Sequence, residues 1–246
     1  MINLSGHSGC NVVLYDNNVV RKISPTLEYN NRLKIQMEKQ QSFSHHTLKS
    51  PQIFDWGYNE NGMFYFDMEY IHGVNLNVYF QKERLHTCMN IVNLVTSFQT
   101  SIKKIDIKEQ VINKIQNINV NNEIKEILIS NDWVIDIGYS HGDLTFENII
   151  INENEIYLID FLDSFVSGPL IDEAKLLQDA FCYWSFKDSI SIPKRKLLSV
   201  SEKFNSKQHY YMLLLHLVRI IPYINPNKIE KLLCMIQTVK TKINQF

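Results

Sequence analysis

The sequence predicts an α+β protein in two parts, a small antiparallel-sheet lobe over residues 1–70 and a mainly helical lobe over residues 71–246. Three patterns point to that division. Short β-branched runs separated by Asn-rich turns fill the first part, and apolar residues at helical spacing dominate after His72-Gly73. A lone hairpin at 149–159, apolar enough to be buried, interrupts the helices.

Residues 11–15 and 19–23 are β-rich and flank Asp16-Asn17-Asn18, so they suit a hairpin that Pro25 ends. Residues 27–43 change to Leu, Lys, Gln, Glu and Met, with Leu33 and Met37 in helical phase, and predict a helix. Residues 52–57 and 63–70 are strands joined by Asn59-Glu60-Asn61-Gly62, a strong turn. Residues 85–105 place Met89, Val92, Val95, Phe98 and Ile102 on one face and predict a single helix. A further helix over 109–129 is broken by the amides around 117–122. After the hairpin, helices are expected over 170–185, 210–221 and 228–243, and the chain shows no internal repeat or low-complexity linker.

A hydrophobic content of 45% against 21% charged residues excludes disorder as the dominant state. The net charge of −1 lacks the basic excess of a nucleic-acid binder, so no nucleic acid is expected as partner. Cys10, Cys88, Cys182 and Cys234 are too dispersed for a zinc or redox motif and read as reduced thiols. No basic-then-apolar leader and no apolar run of membrane length is visible, which gives the expectation of a cytoplasmic protein with no membrane partner. The adjacent His45-His46 lacks neighbouring ligands and reads as an exposed loop, and the oligomeric state is left open.

The chemistry concentrates around the 149–159 hairpin. Asp143 and Asn148 stand five residues apart before its first strand and Asp160 follows its second, so the hairpin turn folds them together. Hard magnesium takes oxygen ligands and keeps waters, so one carboxylate, one amide oxygen and phosphates would suffice to hold it. Asp143 is then free to accept a hydroxyl proton and orient a nucleophile. Singly, each of these residues is commonly a solvated cap; jointly, their spacing around one hairpin favours a metal-phosphate site.

His141-Gly142-Asp143, Asn148 and Ile159-Asp160-Phe161 resemble the catalytic loop of the aminoglycoside phosphotransferase and choline kinase family, and the likeness extends over residues 139–179. It implies a two-lobed protein-kinase-like fold, with ATP and Mg2+ as cofactors. It implies Asp143 as the catalytic aspartate, Asn148 and Asp160 as metal ligands, and His141 and Asp172 as structural support for the loop. Asp172 equally suits a helix N-cap. Val19-Val20-Arg21-Lys22-Ile23 resembles the strand whose lysine meets the nucleotide phosphates, which points to Lys22, with Glu38 on the following helix as its acidic partner. Gly6, Ser8 and Gly9 fall where the family folds a loop over the phosphates, although a plain glycine turn accounts for them as well. Glu69, Tyr70 and Ile71 resemble the adenine-binding hinge, and a strand ending in a turn at Gly73 explains the same residues.

The resemblance does not extend to the substrate side, where Thr145-Phe146 and Leu162 depart from the relatives. Only twelve positions separate Asp160 from Asp172, too few for the activation segment on which protein kinases seat a peptide, so a small hydroxyl compound is the expected acceptor. Asp163, Asp179, Tyr183 and Trp184 are its candidate contacts, Tyr183 and Trp184 being equally suited to the core. A sugar is preferred over an amino alcohol or an aminoglycoside. The alternatives are a Ser/Thr protein kinase and a nucleotide-binding pseudokinase.

Overall fold

The computed structural model describes residues 2–4, 9–186 and 189–246. The chain divides into two compact units, Met1–Tyr79 with Glu147–Asp163, and Phe80–Phe146 with Ser164–Phe246.

The first unit is built on a five-stranded sheet in the order β1-β2-β3-β6-β5, from Ile2–Leu4 (β1), Asn11–Leu14 (β2), Val19–Ile23 (β3), Ile53–Tyr58 (β5) and Phe64–Glu69 (β6), all neighbours antiparallel. Turn chemistry sets its registers. Asn18 takes φ 60° between β2 and β3, and Asn59 Oδ1 accepts the N–H groups of Asn61 and Met63, each at 3.0 Å, between β5 and β6. Helix α1 (Asn30–Gln41) lays Leu33 and Met37 on Val20, Phe64, Phe66 and Met68, which are the inward residues of alternating strands. Asn30 ties the start of this helix to the β5–β6 hairpin, donating to Gly62 O and accepting from Phe64 N–H, both at 2.8 Å. A second, four-stranded sheet in the order β4-β11-β10-β7 joins Leu48–Lys49 (β4), Val74–Asn75 (β7), Ile149–Asn152 (β10) and Glu155–Leu158 (β11). The expected buried hairpin is thus β10–β11.

Helix α2 (Leu76–Lys82) carries the chain onward from the first unit. The second unit holds α3 (Leu85–Thr96), β8 (Lys103–Asp106), α4 (Lys108–Ile115), α5 (Asn122–Ser130), β9 (Val134–Ile137), α6 (Pro169–Cys182), α7 (Lys194–Lys203), α8 (Lys207–Ile220) and α9 (Ile229–Ile243). Helices α6 and α8 pack together at its centre, and every residue from Tyr210 to Val218 is buried. A helix that is apolar nearly all round is a core helix.

The expected helix over 85–105 is corrected. It stops at Thr96, and Lys103–Asp106 instead pairs antiparallel with β9, leaving Ile102 exposed. Backbone pairing with a strand thirty residues away overrides the local apolar spacing. Likewise the helix over 170–185 ends at Cys182, because Tyr183 adopts a left-handed conformation (φ 55°) and a 3-10 turn, Trp184–Phe186, follows. Among the described residues no helix is long and apolar enough to cross a membrane.

Candidate active site

In the first unit the β10–β11 hairpin gathers the candidate metal ligands. Its paired strands close with Ile159 N–H donating to Asn148 O at 3.0 Å, so Asn148 and Asp160 emerge side by side at the open end. Asp160 stands at φ 58°, a left-handed conformation that Asp tolerates better than most residues and that often marks a functional position. Its carboxylate accepts from Lys22 Nζ at 2.9 Å. Lys22 points inward from β3, its side chain 3% exposed, whereas the Asp160 side chain is 39% exposed. Burial alone would lower the Lys22 pKa; the charge of Asp160 and its hydrogen bond outweigh that cost and leave it raised. A sealed cation therefore holds a carboxylate that water still reaches. Two oxygen donors beside an ammonium fit a magnesium-phosphate group, which needs few protein ligands. Among the described residues no group of three or more His, Cys, Asp or Glu side chains is placed to hold a metal ion.

The expected Lys22–Glu38 pair is corrected. Glu38 is exposed and lies 3.9 Å from Lys34, one helical turn back. Like Gln40, Gln36 is turned inward from α1 and is 2% exposed. Its Nε2 donates to Tyr29 OH at 3.2 Å, and its Oε1 is buried with no partner in the structure. Its phase with Leu33, Met37 and Gln40, at spacings of three and four, was the available signal.

In the second unit one helix grips the loop that carries Asp143. Asp172, at 0% exposure, accepts the backbone N–H groups of His141 at 2.5 Å and Gly142 at 2.7 Å. Gly142 has φ 94°, a conformation open to glycine that turns this N–H toward the carboxylate. One turn along, Lys175 Nζ meets Asp143 Oδ1 at 3.0 Å. Another turn along, the fully buried Asp179 accepts from Phe146 N–H at 2.6 Å, and from Ser185 N–H and Oγ at 2.8 and 2.6 Å. Residues 172, 175 and 179 share one helix face, and they hold loop residues 141–142, 143 and 146 in matching order. Within the loop, His141 Nδ1 accepts from Asp143 N–H at 3.2 Å, and Phe146 is anchored against Phe80 with ring centroids 4.7 Å apart. Pro169 opens α6, and Gly168 before it is required by space: a Cβ there would lie 2.3 Å from Asp136 O.

Asp172 is therefore a buried brace for His141 and Gly142, one of the two roles the sequence allowed. Asp179, expected to touch an acceptor, is corrected: three donors of its own unit occupy it in the interior. Tyr183 and Trp184 are half-buried beyond the C-terminus of α6, and Asp163 is exposed. In the hinge stretch, Glu69 N–H is taken by Gln52 O and Tyr70 N–H by Asn18 O, while Ile71 is buried. Gly9 is exposed at φ 75°; Gly6 and Ser8 lie outside the described residues. Lys175 was not foreseen, because nothing local marks a helical lysine as the neighbour of a loop aspartate.

The fold is that of the protein-kinase-like phosphotransferases. A thermostable aminoglycoside phosphotransferase APH(4)-Ia, solved in ternary complex with AMP-PNP and hygromycin B, matches with a TM-score of 0.67 at 11% identity, over 99% of this chain and 92% of that one. The streptomycin-ATP-APH(2")-IIa ternary complex matches at 0.61 and 17% identity, over 96% of this chain and 92% of that one. Choline kinase LicA from Streptococcus pneumoniae matches at 0.59 and 15% identity, over 100% and 93%. No protein-family profile and no curated protein matches the sequence.

Proposed function

We propose that this chain is a small-molecule kinase that transfers the γ-phosphoryl group of ATP to a hydroxyl, using Mg2+. The observation that carries the reading is the Lys22–Asp160 pair, a buried ammonium against an open carboxylate beside Asn148. The nucleotides named with the structural neighbours support the same chemistry. In this reading Asn148 and Asp160 would hold the metal, which would supply positive charge against the phosphates when bound. Lys22 meets the phosphates from its sealed position, and residues 69–71 border the adenine. Asp143 lies five residues before Asn148 in the sequence. It orients the acceptor hydroxyl. The acceptor oxygen forms a bond to the γ-phosphorus as the bond to the bridging β–γ oxygen breaks, ADP leaves, and the hydroxyl proton passes to Asp143. Because such transition states are loose, fixing Asp143 through α6 matters more than its basicity. The brevity of the segment between Asp160 and α6 favours a small acceptor over a protein. A cytoplasmic location accords with the ATP requirement.

ADP release by the purified protein with MgATP, measured across sugars, amino alcohols, aminoglycosides and a generic protein substrate, tests the reading. Turnover of a small hydroxyl compound is expected. MgATP binding without ADP release would instead mark a regulatory nucleotide-binding module. Phosphorylation of protein alone would mark a protein kinase.

A further inference from the structure

Helix α1 reaches the neighbourhood of Asp160 by a route other than the Lys22 pair. After β11 ends at Leu158, residues 159–163 lie in no helix or strand, so no backbone ladder fixes them. Asp160 nevertheless keeps φ 58°, a conformation that persists in a residue other than glycine where the surroundings over-determine it. Three consecutive residues of the stretch are held from outside. Lys22 Nζ donates to the Asp160 carboxylate at 2.9 Å, the buried Phe161 ring meets Phe43 with centroids 5.2 Å apart, and Lys39 Nζ donates to Leu162 O at 2.8 Å. The last two holds share an origin. Lys39 stands in the last turn of α1 and Phe43 four positions on, just past its end, so one end of one helix grips residues 161 and 162.

The Asp160 side chain is 39% exposed, so packing does not enclose it and its direction follows from its backbone. Lys39 is half-buried, and a hydrogen bond from an ammonium to a carbonyl is stronger than one between neutral groups. Fixing the Leu162 carbonyl and the Phe161 ring restricts the torsions by which Asp160 could leave its left-handed conformation. Lys22 has a second task, because in the proposed reaction its ammonium meets the phosphates. The hold from α1 is the part that nucleotide does not draw upon. We propose that Lys39 is a positioning residue for Asp160: by holding Leu162 O it keeps the metal-binding carboxylate aimed when MgATP arrives. The coupling of α1 to the site, expected through Glu38 and Lys22, runs instead through a lysine that acts on the backbone beyond the aspartate. This rests on the reading that Asp160 binds the metal.

The test titrates ATP into the wild type, Lys39→Met and Lys39→Arg by calorimetry, once with Mg2+ and once in EDTA, with Lys34→Met, beside Glu38 on α1, as control. The quantity read is the gain in ATP affinity that Mg2+ confers. Lys39→Met should lose about tenfold of that gain, the scale of one hydrogen bond from a charged donor, while affinity in EDTA stays within about twofold. Lys39→Arg, which keeps a charged donor, and Lys34→Met should retain the gain. An undiminished gain in Lys39→Met, an equal loss with and without the metal, or a Lys39→Arg variant as weak as Lys39→Met overturns the proposal. Hydrogen exchange without nucleotide is the second readout: the amides of residues 160–163 should exchange at least about tenfold faster in Lys39→Met, with the β10–β11 hairpin unchanged. Should Lys39→Met not fold, Lys39→Gln, which also removes the charge, takes its place in both measurements. Where nucleotide binds, the metal gain decides. If the wild type binds no MgATP, the kinase reading falls and exchange alone judges Lys39: faster exchange confined to residues 160–163 supports its role, and unchanged or uniformly faster exchange overturns it.

Discussion

Lys22 and Lys175 each face an aspartate at about the same distance, 2.9 and 3.0 Å, yet the two pairs differ in which partner water reaches. In the first unit the lysine is sealed and the aspartate open; in the second both partners are mostly covered, the aspartate at 25% exposure and the lysine at 14%. A sealed ammonium beside an open carboxylate is a fixed charge whose partner can still take another cation. A pair covered on both sides, on a loop already pinned at residues 141, 142 and 146, serves to aim a side chain. The same two residue types thus form a pair open to water on one partner in one unit and a pair covered on both sides in the other.

The largest effect should come from the aimed pair. Asp143→Asn is expected to reduce turnover by roughly 10²-fold or more while leaving the melting temperature nearly unchanged, because the amide oxygen can still accept from Lys175 Nζ. Steady-state ADP release with a thermal melt checks both halves; near-normal turnover would remove Asp143 from the reaction.

The sealed pair should break asymmetrically. Asp160→Ala strands a buried ammonium and should cost about 3 kcal/mol of stability, whereas Lys22→Met, which replaces the cation by an apolar chain of similar length, should be close to neutral. Both should lose MgATP affinity. Denaturant melts and calorimetry on the two variants read this directly, and equal destabilisation by both would show that the pair acts as an ordinary ion pair.

Asp172→Asn should cost about 2 kcal/mol, because the amide presents an N–H group toward one of the two loop N–H groups that the carboxylate satisfied. Turnover should fall with it. A variant of wild-type stability in a denaturant melt would mean that the loop holds its shape without this brace.

The smallest effect concerns pH. Desolvation, with Lys175 and Arg219, lowers the His216 pKa well below 6.5, so the unfolded chain binds a proton that the folded chain refuses. Its contribution is complete above about pH 6.5 and is lost as pH falls toward the folded value. His216→Gln can keep a donor for Ile171 O, the partner of His216 Nε2 at 3.2 Å, and should flatten the acid limb of a melting-temperature profile. An identical limb in both proteins would assign the acid sensitivity elsewhere.

How far these pairs could be foreseen depended on how local their causes are. The β10–β11 hairpin and the adjacency of Asn148 and Asp160 follow from a few consecutive residues, and so were readable. Lys22 and Asp160 are 138 positions apart, and neither residue's surroundings in sequence name the other. The expectation of Glu38 as partner fails on phase: Gln36 and Glu38 are about 200° apart around the helix, and the face that buries Leu33 and Met37 takes Gln36 and leaves Glu38 outside. Charge suggested a partner, and geometry placed it in solvent. Lys103–Asp106 misled for a related reason, since two lysines and an isoleucine satisfy a helical spacing as readily as an exposed strand, and only pairing with β9 decides between them.

The grip of α6 on its loop also limits how this chain could change over generations. Asp172, Lys175 and Asp179 act as teeth on one helical face, so inserting or deleting a single residue between them would turn everything downstream by about 100°. Asp179 would swing away from Phe146 N–H while Asp172 stayed seated. Substitutions along the outer face of α6 can accumulate one at a time, but its length between residues 172 and 179 is locked.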